Sequence, residues 1–378
     1  MARVRQTEQG SSRDRVLHLL ESRKGTFFSG EEIASELGIS RTAVWKAVRR
    51  LRDEGCRIDA VTNRGYRLSQ DSDILSAEII RQYMEKIVSE NDSCRNLDCG
   101  AFPTHPGKLS LDHIRLEVFE TIDSTNTFCL KKASEGERGG LIAVAGRQSM
   151  GRGRRGRSFF SPEDTGLYMS ILLRPFGVSA DMAVRFTTIA AVAVAEAIEA
   201  VCGKPAQIKW VNDIYVNGRK VCGILTEASF NLEDSTLDYA VVGIGINVYE
   251  PSDGFPENIK DIAGALQSAP SDDPESNMVL RCGGRNRLAA EVITRFYSYC
   301  IQELRRIDPE HDHSEMRRYI DEYRRRCFVI GREIEVFKAG SEPEHAVAAG
   351  IDDECRLIVT YADGRSEVLG SGEISIRL

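Results

Sequence analysis

At 378 residues the chain exceeds the roughly 100 to 200 residues that one hydrophobic core organises, so two or three domains are expected. Hydrophobic residues at 42% and charged residues at 28% match a soluble globular protein and exclude a fibrous repeat or wholesale disorder. A net charge of −7 excludes nonspecific nucleic-acid binding by the whole surface, so any DNA contact must be local. The longest apolar run, residues 189–198, contains Glu196 and is too short to span a bilayer. The first residues lack the apolar segment of a secretory signal, which places the expected location in the cytoplasm. Ten cysteines lie scattered without any C-x-x-C pair and read as reduced thiols.

In chain order, residues 14–22 predict a short helix with Val16, Leu17, Leu19 and Leu20 inward. Ser29 and Glu32 form a capping box for a second helix carrying Ile33, Ala34 and Leu37, which Gly38 ends. Ser40 caps a third helix in which Val44, Val48 and Leu51 share a face while Arg41, Thr42, Trp45, Lys46, Arg49 and Arg52 point elsewhere, a helix-turn-helix pattern. Extended runs at 57–62 and 65–68, joined through Asn63, Arg64 and Gly65, make a wing. From Arg41 to Arg67 eight Lys/Arg face three acids (Asp53, Glu54, Asp59), a local net of +5. Such a charge run is often only a solvated helix face. Combined with cap, turn and wing it predicts DNA binding through Arg41, Thr42, Trp45, Lys46, Arg49 and Arg64.

A helix at 76–88 precedes a polar linker or insertion near 89–113. Cys94, Cys99, His105 and His113 fit a compact zinc site poorly at C-x4-C spacing, and no protein metal cage is expected. Strands at 115–120, 141–147 and 167–174 alternate with helices at 125–134 and 184–201. A β-rich patch follows at 207–210, 214–216, 220–227 and 239–248, with Asn217 and Gly218 supplying a hairpin turn. A second polar insertion at 268–286 precedes helices at 288–306 and 314–325. Five short apolar runs, around Val329 and at 334–337, 346–351, 357–361 and 374–376, predict a small β-barrel. The expected domains are 1–70, 71–325 and 326–378.

The densest chemical signal is Gly151, Arg152, Gly153, Arg154, Arg155, Gly156 and Arg157, set between two strands. Glycine lets backbone N–H groups approach an anion, and each guanidinium presents a rigid fork of donors to phosphate or carboxylate oxygens. Unliganded, four like charges and no packing predict a mobile loop that a ligand orders. A Gly/Arg tract for RNA is the other reading, but such tracts normally occupy long low-complexity tails. Lys209, Trp210, Val211, Asn212 and Asp213 follow, and the hairpin returns Lys220 beside them. Lys220 suits a carboxylate reacting with an α-phosphate and Asp213 an incoming amine, although each alone also reads as a surface hairpin charge. Asp123, Ser124, Thr125 and Asn126 sit at a strand-to-helix junction, where plain capping competes with ligand binding and, taken alone, wins.

Taken together, residues 124–126, Gln148, the 151–157 loop, 209–213, Gly218-Arg219-Lys220 and Gly243-Ile244-Gly245-Ile246-Asn247 resemble, in order and spacing, the biotin-protein ligases. The leading winged helix makes the chain similar to their bifunctional branch, the biotin operon repressors. The resemblance implies an α+β fold: an N-terminal winged helix-turn-helix, a class II synthetase-like mixed-sheet catalytic domain and a C-terminal SH3-like barrel. It implies that Ser124, Thr125, Asn126, Gln148, Arg152, Gly153, Arg154 and Lys220 contact biotin. Gly151, Arg152, Arg154, Arg155, Gly156, Arg157, Asn212 and Asn247 would face ATP or the adenylate, and Lys220, Arg154 and Asp213 would act in catalysis. Implied partners are biotin, ATP with Mg2+, a biotin carboxyl carrier protein, operator DNA and a second copy of the chain. Val211 stands where the family usually has proline, Met150 where a small residue is common and Phe159 where tryptophan is frequent. The Arg-Arg and triple-Gly signature of lipoate and octanoate ligases is absent.

Overall fold

The structure, a computed structural model, describes residues 11–23, 25–53, 56, 58–69, 73–90, 111–179, 181–231, 233, 236–267, 284–306, 318–337, 342–370 and 373–375. Arg57, Cys94, Cys99 and His105, most of both polar insertions and the expected helix start at 314 lie outside these residues.

The N-terminal region packs α1 (Ser12–Ser22), α2 (Gly30–Leu37) and α3 (Arg41–Asp53) beside a two-stranded ribbon, β1 (Ile58–Val61) and β2 (Gly65–Leu68). Ser29 and Glu32 close the capping box, the Ser29 hydroxyl accepting from the Glu32 amide at 3.1 Å and the Glu32 carboxylate accepting from the Ser29 amide at 2.7 Å. Gly38 ends α2 at φ 62°, a left-handed conformation that suits glycine. Val16, Leu17, Leu20, Ile33, Val44, Val48 and Leu51 form the shared core, as the period-3.6 pattern predicts.

Helix α4 (Ala77–Glu90) belongs to two cores, Ile79 packing with the winged helix and Ile80 and Met84 with the central region. The segment entering α4 is held by the start of α7 (Gly284–Arg306). Arg285 Nε donates to Asp73 at 3.1 Å, the Tyr249 hydroxyl donates to the same carboxylate at 2.6 Å, and Asn286 accepts from the Ser76 amide at 2.9 Å. Arg285 is buried, so this pairing removes what would otherwise be a costly unpaired charge.

The central sheet has seven strands: β3 (Arg115–Phe119), β4 (Leu141–Ala145), β5 (Gly166–Leu173), β6 (Gln207–Lys209), β7 (Asp213–Val216), β8 (Arg219–Phe230) and β9 (Leu237–Asn247). Their spatial order is β3-β4-β5-β9-β8-β7-β6, with β3 and β4 parallel and every other pair antiparallel, a mixed sheet. One face packs on α6 (Met182–Cys202) and α7 through Ile142, Met169, Val242 and Ile244, while the other packs on α5 (Thr125–Ser134) through Ala143, Tyr168 and Val241. All eight residues of β5 are buried, the expected result for a strand covered on both faces.

Helix α8 (Arg318–Arg326) leads to a five-stranded antiparallel sheet: β10 (Glu333–Phe337), β11 (Glu344–Ile351), β12 (Leu357–Tyr361), β13 (Ser366–Leu369) and β14 (Glu373–Ser375), ordered β13-β12-β11-β10-β14. This is the antiparallel C-terminal unit expected of an SH3-like barrel, with one correction. The run around Val329 is a turn rather than a strand, with Val329 buried, Phe328 and Ile330 half-buried, and the Phe328 amide donating to Ile208 O at 3.2 Å. The missing strand is β13, whose sequence Ser-Glu-Val-Leu holds only two apolar residues, too short a run to detect.

Candidate active site

Strands β8 and β9 pair Gly223 with Gly245, Leu225 with Gly243 and Glu227 with Val241, all on the face that α5 only partly covers. Glycine at these positions makes a flat floor. A β-carbon at Gly245 would fall 2.7 Å from the Phe159 ring and one at Gly223 3.2 Å from it, while one at Gly243 would overlap the Asn126 amide. The pattern Gly-Ile-Gly-Ile therefore serves two faces, isoleucines into the helix-covered core and glycines under the side chains that shape the site.

At the start of α5, Ser124 is a cap, its hydroxyl accepting from the Thr127 amide at 3.4 Å. Thr125 and Asn126 do more. Gln148 Oε1 accepts from the Thr125 amide at 2.9 Å and from its hydroxyl at 3.1 Å, and Gln148 Nε2 donates to Ser161 Oγ at 3.1 Å. Ser170 Oγ lies 2.8 Å from Thr125 Oγ1 and also reaches Asn126 Oδ1. Asn126 Nδ2 donates to Glu227 Oε2 at 3.0 Å. Residues 124–126 are buried, and burying so many polar atoms is tolerable only because their partners are supplied. The resulting donors and acceptors are fixed in direction, which suits recognition of a polar ring.

The 151–157 loop folds as a hairpin. Arg152 bridges Ser158, the Gly153 amide donates to Arg157 O at 2.7 Å, and one 3-10 turn covers Arg154–Gly156, with positive φ at Arg155 (56°) and Gly156 (74°). Charge repulsion is offset from within the chain. Arg152 makes a bidentate pair with Glu227, at 3.0 and 2.8 Å, and Arg154 Nη1 donates to Asn212 Oδ1 at 2.9 Å. Glu227, 75 residues beyond Arg152, gave no sequence signal of this role, and neither did Ser161 or Ser170. Arg155, Gly156 and Arg157 form the exposed tip.

On the other side of the floor Lys220 Nζ lies 2.6 Å from Asp213 Oδ1 across the β7-β8 pair, so the two expected catalytic charges meet. Asn212 Nδ2 donates to Ile224 O at 2.9 Å, and Asn247 Nδ2 donates to Gly264 O at 3.0 Å. The turn before Asp213 is fastened from the C-terminal region, with Trp210 Nε1 donating to Cys355 O at 3.0 Å and the Tyr323 hydroxyl to Val211 O at 3.1 Å. Cys222 lies beside Lys220 but is buried, and burial pushes its thiol far above the ordinary range, so it is no nucleophile at neutral pH.

In the winged helix, Arg41, Thr42, Trp45, Lys46 and Arg49 are exposed along α3, and Arg64 is exposed on the wing. Together with Asn63 and Tyr66, Arg41, Thr42 and Trp45 line an open cleft of about 710 Å³ between helix and wing. Arg49 stacks on Trp45 at 5.6 Å, and Arg64 and Arg67 lie over Phe27 at 4.8 and 4.6 Å. Several charges counted toward the basic patch have partners within the chain: Arg41 lies 3.3 Å from Glu31, Arg52 donates to Ile58 O at 2.8 Å and Arg67 to Asp59 at 3.0 Å.

Residues 118–247 match the Biotin/lipoate A/B protein ligase family, residues 13–67 an HTH domain and residues 329–377 the Biotin protein ligase C terminal domain. The bifunctional ligase/repressor BirA of Bacillus spizizenii is 36% identical over 265 residues, covering 67% of this chain and 70% of that protein. That of Salmonella typhimurium is 28% identical over 359 residues, covering 93% and 94%. A biotin protein ligase from Aquifex aeolicus, solved in complex with biotin and ATP, superposes with a TM-score of 0.53 at 26% identity, covering 70% of this chain and 98% of that one. With the three domains in this order and the glycine-floored site in the central one, the chain belongs to the biotin protein ligases, in their bifunctional ligase/repressor branch.

Proposed function

We propose that the chain joins biotin to AMP at the expense of ATP and then transfers biotin to a lysine of a biotin carboxyl carrier protein, acting in the cytoplasm. The observation that carries this reading is the meeting, on one glycine-floored face, of the buried polar set around Asn126 and Gln148, the Gly/Arg hairpin and the Lys220–Asp213 pair. Thr125, Asn126 and Gln148 suit the ureido ring, with Ser124 capping the helix that presents them. Arg152, Gly153 and Arg154 close over the acyl phosphate, and Lys220 meets the biotin carboxylate. Gly151, Arg155, Gly156, Arg157, Asn212 and Asn247 border the nucleotide. Among the described residues no group of three or more His, Cys, Asp or Glu side chains could hold a metal ion, and Mg2+ would arrive on the triphosphate.

In the first step the carboxylate attacks the α-phosphorus and pyrophosphate leaves. Arg152, Arg154 and Lys220 offset the charge on the phosphoryl oxygens. As Lys220 turns to the ligand it releases Asp213, which can then orient the incoming amine of the carrier lysine while AMP departs. The residues contribute placement, charge and exclusion of water, with no covalent enzyme intermediate. The winged helix would bind operator DNA as part of a homodimer, α3 in the major groove and Arg64 on an adjacent phosphate. The division into 1–70, 71–325 and 326–378 belongs to the same reading. The test is a mass measurement after incubation with ATP, a carrier domain and either biotin or lipoate. A biotinyl mass gain on the carrier is expected, and a lipoyl gain or none overturns the assignment.

A further inference from the structure

We propose that Glu227 is the positioning residue of this site, locking the Gly/Arg hairpin to the sheet and fixing the direction of the Asn126 amide with one carboxylate. It lies on β8 on the same face as the glycine floor, opposite Val241. Both its oxygens are engaged. Oε1 accepts from Arg152 Nη2 at 2.8 Å, and Oε2 accepts from Arg152 Nη1 and from Asn126 Nδ2, each at 3.0 Å. The Asn126 amide can point only one way, its nitrogen to Glu227 and Leu225 O and its oxygen to Ser170. Because Arg152 bridges Ser158 across the hairpin, holding its guanidinium holds the first arm of the hairpin. The second fastening is Arg154 to Asn212, and the Phe159 ring covers Gly223 and Gly245.

Closure is therefore a two-point latch, and Glu227 ties its biotin-side point to the polar set that reads the ligand. The charge is required. A glutamine that keeps its oxygen on Asn126 and Arg152 Nη1 sets its nitrogen against Arg152 Nη2, so Glu227→Gln keeps the shape while losing the charge and the bidentate grip on Arg152.

The experiment is hydrogen exchange of a peptide covering residues 150–160 in the full-length protein without substrates, comparing wild type, Glu227→Gln, Arg152→Ala and the double variant. Loop amides should exchange on the order of tenfold faster in each single variant and no faster still in the double, because both remove one interaction. Glu227→Asp should restore part of the protection. Unchanged exchange in Glu227→Gln, or additive effects in the double, overturns the proposal. Should Glu227→Gln fail to fold, Arg152→Ala decides: unchanged loop exchange there refutes the latch.

This role rests on the ligase reading only for its kinetic consequence, a rise in KM for biotin of about tenfold with kcat for carrier transfer changed by less than about threefold. An equal fall in kcat and kcat/KM would instead make Glu227 part of the chemistry and overturn a positioning role. If the wild type transfers no biotin, the ligase reading fails while the exchange result still judges the latch.

Discussion

Helix α3 and the Gly/Arg loop are both rich in arginine, and they hold their charge in different ways. Along α3 the exposed side chains Trp45, Lys46 and Arg49 project from a helix whose other face is core, and Arg49 is steadied by an aromatic ring. In the loop, Arg152 is paired with the Glu227 carboxylate and Arg154 with the Asn212 amide oxygen. A surface of outward charges suits a long polyanion whose counterions are released on contact. Charges already directed by neighbouring groups suit one small anion in one place, with little reorganisation during reaction.

The sharpest way to break this comparison is at the paired centre. Lys220→Ala should lower adenylate formation on the order of 100- to 1000-fold, because a cation directed at developing phosphoryl charge is worth several kcal/mol. DNA affinity measured without substrates and the circular dichroism spectrum should stay as in wild type. Pyrophosphate release at the wild-type rate would remove Lys220 from the chemistry. Arg154→Gly comes next. Losing one charge-assisted contact of about 1.5 to 3 kcal/mol should let the adenylate escape, raising self-biotinylation and labelling of bystander proteins on the order of tenfold or more. Preserved adenylation without extra labelling would end the idea that the hairpin retains the intermediate. The smallest effect belongs to the wing, where Arg64→Ala should make the salt dependence of DNA binding shallower by about one. An unchanged slope would place Arg64 off the phosphates.

The two stretches also differ in how far they could be read from sequence. The winged helix is built from local rules, and its capping box at Ser29, the glycine stop at Gly38 and the period of Val44, Val48 and Leu51 all describe what is found. The strand order of the central sheet and the partners of its site were not legible from periodicity, because Glu227 and Ser170 meet the loop and α5 only through long-range pairing. There the glycine spacing and the family resemblance carried the reading. The Asp213–Lys220 hairpin was legible because Asn217 and Gly218 announce the turn that joins its strands. Strand β13 was missed because only Val368 and Leu369 mark it, and Val329 was misplaced because a turn with a buried apolar residue looks like a short strand.

The most direct test of the claim that the two sets of charge serve separate ligands is one measurement pair on Lys46→Ala/Arg49→Ala protein. The salt dependence of binding to a labelled duplex and the rate of biotin transfer to a carrier domain are read from the same preparation. The slope should become shallower by about two while transfer stays within about twofold of wild type, as expected for exposed substitutions far from the site. A transfer rate that falls with the DNA affinity, or a slope that does not change, would contradict the account.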